Sequence, residues 1–143
     1  MEHSNIYEVY NAIIKLIDEA EWHKFVVKIC ETECRSTSLS INLETNNKLI
    51  NKTVCGTKTY KYKCGLYYQL ACQTNIDKLR ALDCLSKLGN WLCGEEIEEN
   101  DVEYQLTGYP KYINKIEYIS GPMLLMKNNN GLDVFSLNLE VSS

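Results

Sequence analysis

Thr59–Cys72 reads TYKYKCGLYYQLAC, and its alternation decides the fold. Tyr60, Tyr62, Cys64, Leu66, Tyr68, Leu70 and Cys72 occupy the even positions. Thr59, Lys61, Lys63, Gly65, Tyr67, Gln69 and Ala71 occupy the odd ones and are mostly polar or small. A period of two sends these sets to opposite faces of a strand, so the stretch predicts a long strand with one buried face. Its tyrosines and threonine suit a pleated, half-buried surface. The best helix signal follows directly, over Asn75–Cys93. Ile76, Leu79, Leu82, Leu85, Leu88 and Leu92 recur on one stripe, with Lys78, Asp83 and Lys87 largely off it. Thr74 is placed to cap this helix, Asp77 stands at its positive end, and Gly94 ends it.

Upstream, Ile6, Val9, Tyr10, Ile13, Ile14, Leu16 and Ile17 predict an amphipathic helix over residues 5–20, capped by Ser4 or Asn5. Phe25–Ile29 is β-branched and short enough for a strand, and Cys30–Ser36 is a polar loop. Ser38–Leu43 alternates as a second strand. Glu44–Lys48 (ETNNK) carries turn chemistry. Leu49–Val54 is open between a short strand, an irregular edge and a helical turn, and Gly56 breaks it. Downstream, Ile113–Ile119 alternates weakly, Gly121-Pro122 punctuates it, and Met123–Met126 is an apolar run. Asn128–Gly131 (NNNG) suits a primed hairpin turn leading into Phe135, Leu137, Leu139 and Val141, a cleanly alternating last strand. The expected fold class is α+β, a mostly antiparallel sheet packed against two amphipathic helices.

At 143 residues the chain is most simply one domain over 1–143, large enough to bury a core without staples. A net charge of −4 argues against a duplex-binding protein, which would carry a basic patch. No apolar run approaches the roughly 20 residues that span a bilayer, and the first residues lack the pattern of an export signal. The seven cysteines are odd in number and form no CxxC pair. Free thiols packed as small hydrophobes in a reducing cytosol explain them best; a disulfide framework and a zinc site are the competing readings. Cys30-x3-Cys34 would need two further ligands, and the only histidines are His3 and His23.

Catalytic patterns are missing. No GxSxG, GxGxxG, GxxxxGKS or HExxH occurs, and no Cys or Ser stands in a recognisable setting with His and an acid. The expectation is therefore no enzyme, no cofactor and no metal. Contact surfaces are the remaining candidates. Glu95–Glu103 holds six acids in nine residues, which reads as a solvated loop or as a patch facing a partner or a channel. Tyr104, Tyr109 and Tyr112 lie in a stretch without clear periodicity, as interface tyrosines do. Glu95, Glu96, Glu98, Glu99, Asp101, Tyr104, Tyr109 and Tyr112 are accordingly the candidate interface residues, with the 44–57 region beside them.

The order of elements carries a resemblance. An amphipathic first helix (IYEVYNAIIKLI) leads to central strands. A Tyr-rich strand then runs straight into a Leu-rich helix (YYQLACQTNIDKLRALDCLSKLGNWL), and the chain ends in a polar-alternating strand (VFSLNLEVSS). This layout, from about residue 5 to 141, resembles the tail-terminator or minor capsid (tail-completion) proteins of tailed bacteriophages and phage-tail-like particles. The resemblance implies a homohexameric ring at the head-proximal end of the tail tube. Such a ring ends tube polymerisation and meets the tube protein, the neck or collar proteins and, in a contractile tail, the sheath. It implies a virion or tail-like particle assembled in the bacterial cytoplasm, with no membrane contact and no specific nucleic-acid binding. A lumen that DNA must pass should repel phosphates, and six copies at −4 each are suited to that. A small cytosolic adapter acting through protein–protein contacts is the alternative.

Overall fold

The computed structural model describes residues 6–29, 31–52 and 58–143. The elements run α1 (Ile6–Asp18), β1 (Val27–Ile29), β2 (Ser38–Lys52), β3 (Lys58–Leu70), α2 (Asn75–Leu92), β4 (Ile97–Glu99), β5 (Val102–Tyr104), β6 (Lys115–Lys127) and β7 (Asp133–Ser142). Five strands form one sheet in the order β1-β2-β3-β7-β6, while β4 and β5 form a separate two-stranded ribbon. Every pairing is antiparallel except β1 with β2. The molecule is thus α+β, with a mostly antiparallel sheet and two helices.

The Tyr-rich strand is the central one. Cys64 lies between Leu43 and Leu139, Leu66 between Ile41 and Leu137, and Tyr68 between Leu39 and Phe135. All nine are buried. Each large aliphatic side chain buried this way is worth on the order of 1.5–3 kcal/mol. Helix α1 adds Val9, Tyr10, Ile13, Leu16 and Ile17 to the same core, and the backbone N–H of Leu43 donates to the Tyr10 hydroxyl at 2.7 Å. Helix α2 adds Ala81, Leu85, Leu88, Trp91 and Leu92. It approaches β7 closely at Gly89, where a Cβ would stand 2.6 Å from Leu137 Cδ2. Thr74 caps α2 with Asp77 in a reciprocal capping box, and Gly94 past its end has φ +88°. The segment between α1 and β1 is tied down by aromatic edges: Trp22 meets Phe25 and Trp91, and Phe25 meets Tyr68, with centroids 5.8–6.3 Å apart.

Several expectations need correction. Ile76 and Leu79 do not share the buried stripe of α2; both are exposed. The buried face runs through Ala81, Leu85, Leu88 and Leu92, so the first two turns present apolar side chains to solvent. Glu44–Lys48 is not a turn but part of β2. The pairs Thr45–Tyr62 and Leu49–Tyr60 span four residues on β2 against two on β3, so the surplus length is taken up as a bulge. Gly121-Pro122 does not end a strand either. β6 passes straight through it, which is possible because β6 is outermost and one of its edges needs no N–H from proline. Gly121 there has φ +93°, and a Cβ would meet the Ser136 carbonyl oxygen at 2.7 Å, so glycine is required. The NNNG segment forms a longer loop in which only Gly131 is left-handed. His3, Cys30, Cys55 and the proposed caps Ser4 and Asn5 lie outside the described residues, as does 53–57 of the 44–57 region.

The odd face of β3 is not simply polar and solvated. Gln69 is fully buried there. Its Nε2 donates to the Glu31 carbonyl at 3.0 Å and to Ser40 Oγ at 3.1 Å. Its Oε1 accepts from the Cys34 N–H at 3.3 Å and from Asn128 Nδ2 at 2.9 Å. Asn128, also buried, sends its second amide hydrogen to the Cys34 carbonyl, and its Oδ1 accepts from the N–H groups of Asn130 and Leu132. Each amide therefore uses both donors and both acceptor positions. Together they clamp the 31–34 loop and the β6–β7 loop onto the sheet.

Asn128→Ala removes four hydrogen bonds and strands buried partners, so it is expected to cost about 1–3 kcal/mol. Chemical denaturation of the variant measures this. Asn128→Asp keeps the acceptors but turns a buried carboxylate oxygen on the Cys34 and Gln69 oxygens, so it should cost at least as much as alanine at neutral pH.

Candidate functional site

The acidic run is a hairpin, not a loop. β4 and β5 pair Ile97 with Tyr104, Glu98 with Glu103 and Glu99 with Val102. Asn100 and Asp101 take φ +53° and +64°, the left-handed pair that a two-residue primed turn demands. Ile97 is buried and holds the ribbon to the core. Glu95, Glu96, Glu98 and Asp101 are exposed. Glu96 hydrogen-bonds Glu103 and its charge lies close by, which raises the Glu103 carboxyl above its ordinary range. Glu99 is turned the other way. It accepts from Lys87 Nζ at 2.7 Å, and Asp83 stands 3.3 Å from the same ammonium. The bond to Glu99 is the main reason the Lys87 ammonium titrates higher than usual.

The three candidate tyrosines separate. Tyr104 is half-buried against the core. Tyr109 donates its hydroxyl to the Leu92 carbonyl at 2.7 Å, satisfying one of the orphan acceptors at the end of α2. Tyr112 is exposed, has φ +81°, and lies under the Lys111 ammonium at 5.2 Å from its ring centre. Ile113, which follows, is buried. The hairpin and Tyr112 are thus the parts of the candidate set that reach solvent.

A shallow cleft of about 580 Å³ opens beside the hairpin, lined by Trp22, His23, Tyr68, Arg80, Cys84 and Glu99 among others. Burial pushes the His23 imidazole below its ordinary pKa, with nearby Glu99 pulling the other way. Burial raises Tyr68 to about 12 and Cys84 to about 11. The same cause holds Cys64 at about 12 and Cys93 at about 11, so these thiols are protonated at neutral pH and are poor nucleophiles. Cys34, Cys64, Cys72, Cys84 and Cys93 are all free. Among the described residues no three His, Cys, Asp or Glu side chains are grouped to hold a metal ion, and no helix is long and apolar enough to cross a membrane.

The apolar side chains of β6 and of the start of α2 also reach solvent. Tyr118, Ile119, Met123, Leu124, Leu125 and Met126 of β6 are all exposed, as are Ile76 and Leu79 of α2. The run Met123–Met126 lacks alternation, and on an outermost strand an unalternating apolar run exposes half of itself or more. That was the available signal. Compared with known proteins, the chain matches no family model and no curated protein at a significant level.

The depressed His23 pKa has a defined consequence for stability. The folded chain resists a proton that the unfolded chain accepts near pH 6.5, so this contribution is complete above 6.5 and is lost as pH falls through the folded value. The stability of the chain relative to His23→Gln should therefore fall as pH drops below 6.5. Denaturation midpoints measured across that window test it.

Proposed function

We propose that this chain is the ring-forming subunit that caps the head-proximal end of a phage or phage-tail-like tube. In this reading it ends tube polymerisation and joins the tail to the neck or collar, and to the sheath where the tail contracts. One observation carries the reading: the exposed apolar surface on β6 and α2, which a subunit of an assembly needs and an isolated domain does not. The order of elements supports it, with an amphipathic helix, a central Tyr-rich strand, a second amphipathic helix and a terminal antiparallel pair matching the layout that the resemblance rests on. Its thiols, held protonated by burial, are consistent with scaffold residues. The acidic β4–β5 hairpin has most of its carboxylates exposed, which suits a surface facing a DNA passage.

Loss of the chain from a particle-producing strain should yield tubes of uncontrolled length without necks. Gold-labelled antibody should mark the head-proximal end of intact particles. Normal tube lengths, or label elsewhere on the tail, would reject the reading. Replacing Glu95, Glu96 and Glu98 by Gln should leave the denaturation midpoint within about 0.5 kcal/mol of the parent, since exposed sites of this kind contribute little. The same variant should lower the yield of DNA-filled or infective particles; an unchanged yield removes the hairpin from the lumen.

A further inference from the structure

We infer that Asn130-Gly131 is a self-modification site guarded by the fold: opening of the β6–β7 loop lets Asn130 deamidate, and the product no longer closes the clamp on the 31–34 loop. Nothing in this depends on the ring reading.

The loop itself demands this dipeptide. Asn130-Gly131 is the only Asn-Gly pair in the sequence. Gly131 has φ +82°, where a side chain is strained, so glycine is needed although the space beside it is open. Asn130 is needed for its donors: Nδ2 donates to the Glu33 carbonyl at 3.0 Å and to the Cys34 carbonyl at 3.3 Å. Both residues are exposed, so water reaches the pair. Asparagine is among the thermally labile residues, and a following glycine, with no Cβ, gives its own nitrogen the least hindered path to the asparagine side chain.

The chemistry needs only water. The Gly131 backbone nitrogen attacks the carboxamide carbon of Asn130. The new C–N bond closes a succinimide, the bond to Nδ2 breaks, and the proton from Gly131 leaves with ammonia. Water then opens the ring at one carbonyl or the other, giving aspartate or isoaspartate.

In the closed loop the reacting groups are already engaged. The Gly131 N–H donates to the Asn128 carbonyl at 3.1 Å, and the Asn130 amide is tied to residues 33 and 34. A succinimide retains neither the Gly131 hydrogen nor the amide hydrogens, so ring closure forfeits all three bonds. The loop must therefore open before it reacts. Its anchors surround the pair. The Asn129 N–H donates to the Glu33 carboxylate at 2.8 Å, and buried Asn128 holds Cys34 and Gln69.

Conversion prevents return. The new carboxylate has no hydrogen for the Glu33 and Cys34 carbonyls, and it adds negative charge against a segment that already carries Glu31 and Glu33. Isoaspartate also routes the main chain through the side-chain carbon. That lengthens the path between the Asn130 and Leu132 N–H groups, which both converge on Asn128 Oδ1. The loop is thus a one-way record of its own opening.

The full chain held at mildly alkaline pH, with asparagine conversion followed by peptide mass mapping, tests this. In denaturant Asn130 should convert before any other asparagine. In the folded chain its conversion should be about 10-fold slower or more. Glu33→Ala, which removes an exposed anchor, and Asn128→Ala should each speed it, and Asn130→Gln should block it. If Asn128→Ala folds poorly, Glu33→Ala carries the comparison. In Asn130→Asp, hydrogen exchange of the Cys34 and Leu132 amides should be about 10-fold faster, while Leu66 and Leu137 keep the parent's rates. A folded chain that converts at the denatured rate, or a Glu33→Ala rate equal to the parent's, overturns the guarding. Unchanged exchange in Asn130→Asp overturns the loss of closure.

Discussion

Strand β3 is held from both faces at once, and the rest of the molecule follows from that. On one face Cys64, Leu66 and Tyr68 meet their neighbours on β2 and β7 to make the floor on which both helices rest. On the other, Gln69 is buried with every hydrogen-bonding position occupied by groups from residues 31–40 and 128. A one-residue slip of β3 would exchange these faces, exposing the leucine and burying lysine. Register is thus set by two independent penalties: lost apolar burial on one side and unsatisfied amides on the other.

This arrangement explains which parts of the fold were legible in the sequence. The β3 alternation, the capping box at Thr74–Asp77 and the alternation of β7 are local patterns, and each local preference agreed with the final structure. What local pattern could not supply was the destination of residues whose environment depends on distant chain. Gln69 reads as a solvent-facing odd position until residues from both ends of the chain fold over it. Ile76 and Leu79 recur at a three-residue spacing, yet at 3.6 residues per turn they stand on the face of α2 opposite Ala81, Leu85, Leu88 and Leu92, and they meet solvent. Asn46-Asn47 has turn chemistry, but the long pairing of β2 with β3 absorbs the surplus residues as a bulge. Asn100-Asp101, in a run that reads as charged loop, makes the tight primed turn that was expected at Asn130-Gly131.

The candidate site divides in the same way. The acidic run was visible as composition, and its exposure follows from charge alone. Its folding into a ribbon was not visible, because Ile97 and Tyr104 are single apolar residues among acids and carry no periodicity. Tyr109 was indistinguishable by sequence from an interface residue; only the proximity of the Leu92 carbonyl assigns its hydroxyl to the end of α2. The apolar edge of β6 was written in the sequence as Met-Leu-Leu-Met. Reading it as a surface required knowing that β6 has a neighbour on one side only.

The irregular pairing of β6 has a further consequence for how crowded copies of this chain behave. A flat, apolar outer strand would be a template for indefinite stacking, and a cell making many copies would risk fibres. Here the missing proline hydrogen and three register shifts against β7 interrupt that template while leaving the side chains sticky. The outer strand thus carries exposed apolar side chains without offering a regular backbone template for stacking, which lowers the risk of fibres at high concentration.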